Sequence, residues 1–225
     1  MRKKTSSTVL KDYHLKRQTE LPFKYRLKRR TAEVLKAIRE FGGSQPRCVL
    51  DVGTADGLML EELSHHFKAH FVGVDTSREI LDANPERTFQ AVQADAMSLP
   101  FEEGSFDIVI AAAIIEHLPD GGKFLGECHR VLRPGGLLIL TTPEPFFDRV
   151  SEVISRQGKG FHYRRFSLRE LRSLCSSRGL RVLKAEKFMM SPIGFPGENA
   201  IEKVMRVLGL SFLLMNQVLV ATREG

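Results

Sequence analysis

A chain of 225 residues, 42% hydrophobic and with 18 glycines, fits one good-sized α/β domain with short additions. Its three cysteines, Cys48, Cys128 and Cys175, are odd in number and form no C-x-x-C pair, which argues against a disulfide framework. Buried thiols in a reducing, cytoplasmic setting are expected instead, and no metal site is expected. The net charge of +7 is uneven: residues 1–47 hold 14 Lys/Arg against 4 Asp/Glu, and residues 48–225 hold 20 against 23, so the basicity belongs to the leading arm.

Residues 1–20 are polar, basic and without periodicity. No apolar h-region follows the basic start, so no leader is expected. The longest uncharged apolar run, Val207 to Ala221, is short for a membrane span and contains Asn216 and Gln217, so a soluble protein is expected. The arm could meet anionic lipid through residues 1–30, RNA or an acidic substrate, or it could be a solvated tail. From Pro22 to Phe41 the apolar positions Leu27, Val34, Leu35, Ile38 and Phe41 suit a helix ended by Gly42-Gly43. Its run Lys28-Arg29-Arg30 would flank a site only if the helix packs over it. Residues 1–41 are therefore set apart as basic arm and helix, and residues 42–225 as the main domain with an insertion at about 190–210.

Cys48 to Gly57, C-V-L-D-V-G-T-A-D-G, is a buried strand that breaks into a tight turn, followed by an amphipathic helix start at Leu58, Leu60, Leu63 and Phe67. Gly53 and Gly57 can take φ > 0 and let backbone N–H groups approach a ligand. A dinucleotide G-x-G-x-x-G beginning at Gly53 would need glycines where the chain has Ala55 and Leu58, which argues against a nicotinamide dehydrogenase. Asp51 at the strand's end would repel a pyrophosphate but suits a ligand presenting a cation. A second strand, His70 to Asp75, ends in another acid, placing two carboxylates at the carboxyl ends of neighbouring parallel strands. A third strand, Thr88 to Ala94, closes on Asp95-Ala96. A fourth, Phe106 to Ala113, is fully apolar after Asp107, which lies at its beginning and is assigned a structural role. A helix then runs to about Leu132, and Arg133-Pro134-Gly135-Gly136 reads as a stop and turn into a fifth strand, Leu137 to Thr142.

Asp51-x-Gly53-x-Ala55-x-Gly57 resembles the first motif of class I S-adenosylmethionine-dependent methyltransferases, with Ala55 at the usual middle glycine. F-D-I-V-I at 106–110 and R-V-L-R-P-G-G-L-L-I-L at 130–140 are similar to later motifs of that family, in the right order. The resemblance covers about residues 48–143 and is closest to the small-molecule methyltransferase type 11 group, of the ubiquinone and menaquinone biosynthesis kind. It implies a Rossmann-like, doubly wound α/β sheet of seven strands, mostly parallel with an antiparallel last strand. It also implies S-adenosylmethionine as cofactor. Asp51, Gly53, Thr54, Ala55 and Gly57 would form the cradle, Asp75 with Thr76 would hold the ribose, Asp95 and Ala96 the adenine, and Ala112 would leave room for the methionine part. Met97 and Leu99 would cover the adenine face or simply pack in the core.

Beyond Thr142 the resemblance thins. Phe146 to Arg156 is expected to be helical, and Ser167 with Glu170 to form a capping box ahead of Leu168, Leu171, Leu174 and Cys175. Leu180 to Met189 and Phe212 to Thr222 read as the last two strands. Between them a short helix carries Ile201, Val204, Met205 and Leu208 on one face, and the apolar loop 189–196 either lines a lid over an apolar substrate or lies on the surface. Candidate bases for a protonated nucleophile are His117 and His162. A small-molecule or lipid-like acceptor is the favoured reading. RNA or protein methylation is less favoured, because Ala112-Ala113-Ile114-Ile115 stands where amino-directed enzymes of that kind carry an N/D-P-P-aromatic tetrapeptide. The third reading is a scaffold that binds the cofactor without catalysis.

Overall fold

The computed structural model describes residues 19–43, 45–85, 87–154 and 162–224. The expectations for residues 1–18, and for the helix beyond Ile154, fall outside them.

Seven strands form one sheet: β1 (Cys48–Val52), β2 (His70–Asp75), β3 (Gln90–Gln93), β4 (Phe106–Ala112), β5 (Leu132–Pro143), β6 (Leu180–Phe188) and β7 (Asn216–Arg223). Their order is β3-β2-β1-β4-β5-β7-β6. All neighbours from β3 to β5 pair parallel, while β7 runs antiparallel to both β5 and β6. The sheet is therefore Rossmann-like and doubly wound, with only the last strand reversed, as the resemblance implies. The order reverses between β1 and β4, so the cleft at a switch point opens at the carboxyl end of β1.

Alternation of side chains explains why both faces are covered. Leu50, Val109, Ala111, Leu138, Leu140 and Leu219 point to one core, which contains Phe124, Leu125 and Cys128 of α4 (Gly121–Val131) and Leu171 and Cys175 of α6 (Leu168–Ser176). Val49, Ile108, Ile110, Leu137, Ile139 and Val220 point to the other, where Val34, Ala37 and Ile38 of α1 (Leu21–Phe41) meet Met59, Leu60 and Leu63 of α2 (Leu58–Ser64). Short α3 (Arg78–Leu81) is capped by the Ser77 hydroxyl, and α6 begins with the capping box of Ser167 and Glu170. Cys128 and Cys175 are buried free thiols, and burial pushes Cys175 up to about 12.

Three boundaries differ from the expected ones. Arg133 to Gly136 is not a turn before the fifth strand. Leu132 already pairs with Phe106, and the register shifts before Ile108 meets Leu137, so the four residues form an irregularity within β5. Gly136 is needed there because a Cβ would come within 2.9 Å of the Arg133 carbonyl oxygen. Phe212 lies in a 3-10 turn, Ser211–Leu213, and β7 starts only at Asn216. Third, β3 spans just Gln90–Gln93. Asp107 is structural: its carboxylate accepts from the Arg47 and Cys48 N–H groups at 2.8 Å each and from Arg133 at 2.6 Å, tying β1, β4 and β5 together.

Between β6 and β7 lies α7 (Glu198–Val207), whose apolar face turns mostly outward. Met205 is buried, but Ile201, Val204 and Leu208 are exposed. The helix instead turns Glu198 and Glu202 inward. Glu198 accepts from the Tyr25 hydroxyl and from the Met190 and Ser191 N–H groups. Both oxygens of Glu202 accept from Nη2 of Arg29 of α1 at 2.8 Å each, and the carboxylate also accepts from the Met189 N–H. Buried charges require partners of this kind, so α7 is oriented by its acids.

Candidate active site

A cavity of about 560 Å³ opens at the carboxyl ends of β1, β2 and β4. One end is built by the turn after β1. Gly53, Ala55 and Gly57 alternate in the left-handed region, with φ of 77°, 54° and 76°. Ala55 thus takes the conformation the usual middle glycine would take, despite its Cβ. The turn needs glycine at 57, since a Cβ there would come within 2.0 Å of the Phe89 ring. Four N–H groups of this turn have partners within the protein. Gly53 and Thr54 donate to the Val74 carbonyl, Gly57 donates to Thr54, and Ala55 donates to the Asp75 carboxylate at 3.1 Å. The turn shapes the cavity by close approach.

Of the residues expected to hold the cofactor, Asp51, Gly53, Thr54, Ala55, Asp75, Thr76, Ala96 and Ala112 line this one cavity. Gly57 stands behind the lining, at the entry to α2. Asp95 does not line it either. Its carboxylate accepts from the Met97 N–H at 2.8 Å, and the side chain is exposed, while Ala94 and Ala96 form that wall. Met97 and Leu99 pack in the core rather than on the cavity. Asp75 is fixed from two sides, its second oxygen accepting from the Ser77 N–H at 2.9 Å. The Thr54 hydroxyl is buried, lines the cavity and has no hydrogen-bond partner among the described residues. A buried hydroxyl facing a cavity with two carboxylates fits a polar ligand of nucleoside size, in a volume typical of cofactor sites.

The other end is a polar cluster. Glu116, His117, Asp148 and His162 all line the cavity. The two imidazoles meet edge to face, with centroids 4.7 Å apart. His117 comes from the short turn Ile115–His117 after β4, and His162 lies beyond α5 (Pro145–Ile154), so the fold brings together the two histidines singled out in the sequence. His162 shares a 2.8 Å hydrogen bond through Nδ1 with Asp148, which Arg165 also holds at 2.6 Å. The hydrogen bond to Asp148 is the main cause that raises the His162 pKa, with the charges of Asp148 and Glu116 adding and burial opposing. For Asp148, burial works against the charged form, but His162 and Arg165 outweigh it and hold the carboxyl below its usual range. Glu116 is buried and accepts from the Thr142 hydroxyl at 3.1 Å. One ligand-capable atom each from Glu116, His117 and His162 lies within 4.8 Å of the others.

Sequence reasoning passed over Glu116, Asp148 and a third wall. Phe23, Arg26, Leu27 and Arg30 of α1 line the cavity, so this helix does pack over the site. Of the run Lys28-Arg29-Arg30 only Arg30 faces it; Arg29 turns to α7, and Lys28 is exposed. The helical period was the available signal, since positions 23, 26, 27 and 30 share one face. The loop 189–196 contributes nothing to the lining, so its place as a lid over the substrate is not supported.

Residues 50–140 match the family described as a methyltransferase domain. Over 114 residues the chain is 35% identical to a demethylmenaquinone methyltransferase of Staphylococcus epidermidis, covering 47% of each chain. Over 162 residues it is 26% identical to phosphoethanolamine N-methyltransferase 2 of Caenorhabditis elegans, covering 68% of this chain and 37% of that one. The chain thus spans less than half the length of these relatives. Its fold matches the crystal structure of an S-adenosylmethionine-dependent methyltransferase from Thermotoga maritima, with a TM-score of 0.71, 19% identity and coverage of 97% and 98%. Over residues 50–140 the chain is therefore similar to methyltransferase domains, and its fold is that of the matched Thermotoga maritima structure.

Proposed function

We propose that this protein transfers the methyl group of S-adenosylmethionine to a small-molecule acceptor that enters beside His117 and His162. The observation that carries this reading is a single cavity with the motif turn and Asp75 at one end and the His117–His162 cluster at the other. S-adenosylmethionine supplies a sulfonium methyl that is already electrophilic, so the chain's task is positioning, exclusion of water and, for a protonated acceptor, removal of a proton. Asp51, Thr54 and Asp75 would hold the cofactor, Asp75 at the ribose. His162, with Nδ1 bonded to Asp148, keeps Nε2 for a proton from the acceptor; Asp148 fixes the ring and stabilises the imidazolium once formed. Arg26 and Arg30 bring positive charge to the wall from α1, suited to a carboxylate or phosphate.

The polar lining supports an acceptor whose reacting end is hydrophilic. The matched relatives are described as acting on demethylmenaquinone and phosphoethanolamine, which supports testing both a quinone and a phosphorylated amine. Calorimetry with S-adenosylhomocysteine is expected to give one site, with Asp75→Ala weakening it about 10- to 100-fold, the worth of a charge-assisted hydrogen bond. Tritiated S-adenosylmethionine with phosphoethanolamine and a demethylated quinone then scores transfer. No binding of S-adenosylhomocysteine overturns the proposal. Binding without transfer to any of them favours the scaffold reading.

A further inference from the structure

We propose that the outer face of the insertion, from Ile193 through α7 to the 3-10 turn at Phe212, docks on an anionic lipid bilayer. The basis is the reversed polarity of α7. Val204, Val207 and Leu208 are 56%, 86% and 65% exposed, and Phe212 of the turn that follows is 60% exposed. The loop before α7 adds Ile193 and Phe195, at 52% and 39%. Scattered exposed apolar residues are ordinary, but a group of large ones on one helix and the turn packed beside it marks a contact surface.

Charge decides what that surface meets. Residues 189–216 contain two acids only, Glu198 and Glu202, and both are buried against α1 and the backbone of 189–191. The outward surface of this segment therefore bears Lys203 and no carboxylate. α1 lies alongside, with Tyr25 on Glu198 and on Gly194, and carries exposed Lys24 and Lys28. Residues 1–18, which join α1 at that same end, hold six Lys/Arg against Asp12 alone. A second copy of this chain would bring like charges together around the apolar patch. An anionic bilayer pairs the cations with headgroups and the apolar side chains with the acyl boundary, the arrangement of an interfacial helix. The cavity takes no residue from this segment, so the inference stands independently of the catalytic reading.

The chain has no tryptophan, so Phe212→Trp makes a single reporter at the patch. With phosphatidylcholine–phosphatidylglycerol vesicles at low salt, the full chain is expected to co-sediment and the tryptophan emission to shift to the blue. Phosphatidylcholine alone should retain far less. Val204→Glu with Leu208→Glu should lower partitioning at least about tenfold, from the apolar surface it removes from lipid. That variant should keep its melting temperature and its affinity for S-adenosylhomocysteine, since both side chains face solvent. Absence of sedimentation with anionic vesicles overturns the proposal. So does undiminished binding of the double variant, which would assign lipid contact to the basic arm alone. A concentration-dependent blue shift without vesicles, matched by a dimer in sedimentation velocity, assigns the face to self-association and overturns it as well.

Discussion

Ala55 holds the left-handed conformation in which a non-glycine residue is strained by about 1–2 kcal/mol. Glycine would remove that strain and return about 0.4–1 kcal/mol to the unfolded chain's entropy. Ala55→Gly is therefore expected to stabilise by about 0.5 kcal/mol, read from the urea midpoint. The Asp148–His162 pair makes a second prediction. The folded pKa of His162 is raised, so its contribution to stability is complete below the ordinary histidine value and is lost as pH rises through the raised one. Asp148 is lowered, so its contribution is present above the ordinary aspartate value and is lost as pH falls through the lowered one. The pair stabilises between those limits. Asp148→Asn should move the His162 titration, followed by NMR of the ring, downward toward the ordinary range; an unmoved midpoint would show that Asp148 does not set it.

At the scale of elements, α1 and α7 are held by charge as much as by apolar packing. The side chains of Arg29 and Glu202 are 9% and 3% exposed and share two 2.8 Å hydrogen bonds, and burial still raises the Glu202 pKa. Removing Glu202 takes from the buried Arg29 its nearest carboxylate and leaves it Glu33 at 4.0 Å beside the Asn199 amide, so Glu202→Ala should cost about 3–5 kcal/mol. For a chain of this size, that is a drop of about 6–20 °C in melting temperature by calorimetry. Replacing both residues with apolar ones should cost much less, because no lone charge remains. The same pair fixes α7 against the helix that forms a wall of the cavity, so loosening α7 should also weaken the site through α1.

For the whole molecule, the cavity joins residues from β1, β2 and β4 with residues from α1 and beyond α5. A ligand filling it should stabilise the native state as one unit. At a hundredfold excess over its dissociation constant, S-adenosylhomocysteine should add about 2.7 kcal/mol. That corresponds to about 5–11 °C in melting temperature, and Asp75→Ala should abolish most of the shift. Among the described residues no helix is long and apolar enough to cross a membrane.

The alternating strands and helices, the turn after β1 and the acids at the ends of β1 and β2 were legible in the sequence because each is a local matter of period, glycine placement and strand termination. Residue patterns within about ten positions carry that information. Ala55 showed where local preference alone misleads: alanine disfavours φ > 0, and the packing around the turn imposes it. The meeting of His117 with His162, the burial of Glu116, the wall from α1 and the outward apolar face of α7 were decided by tertiary structure. An apolar stripe on a helix states that the helix has two faces, not which one the core takes. Here Arg29, on a helix about 170 residues earlier in the chain, needed a buried carboxylate, and satisfying that charge turned α7's acids inward and its apolar residues to the surface.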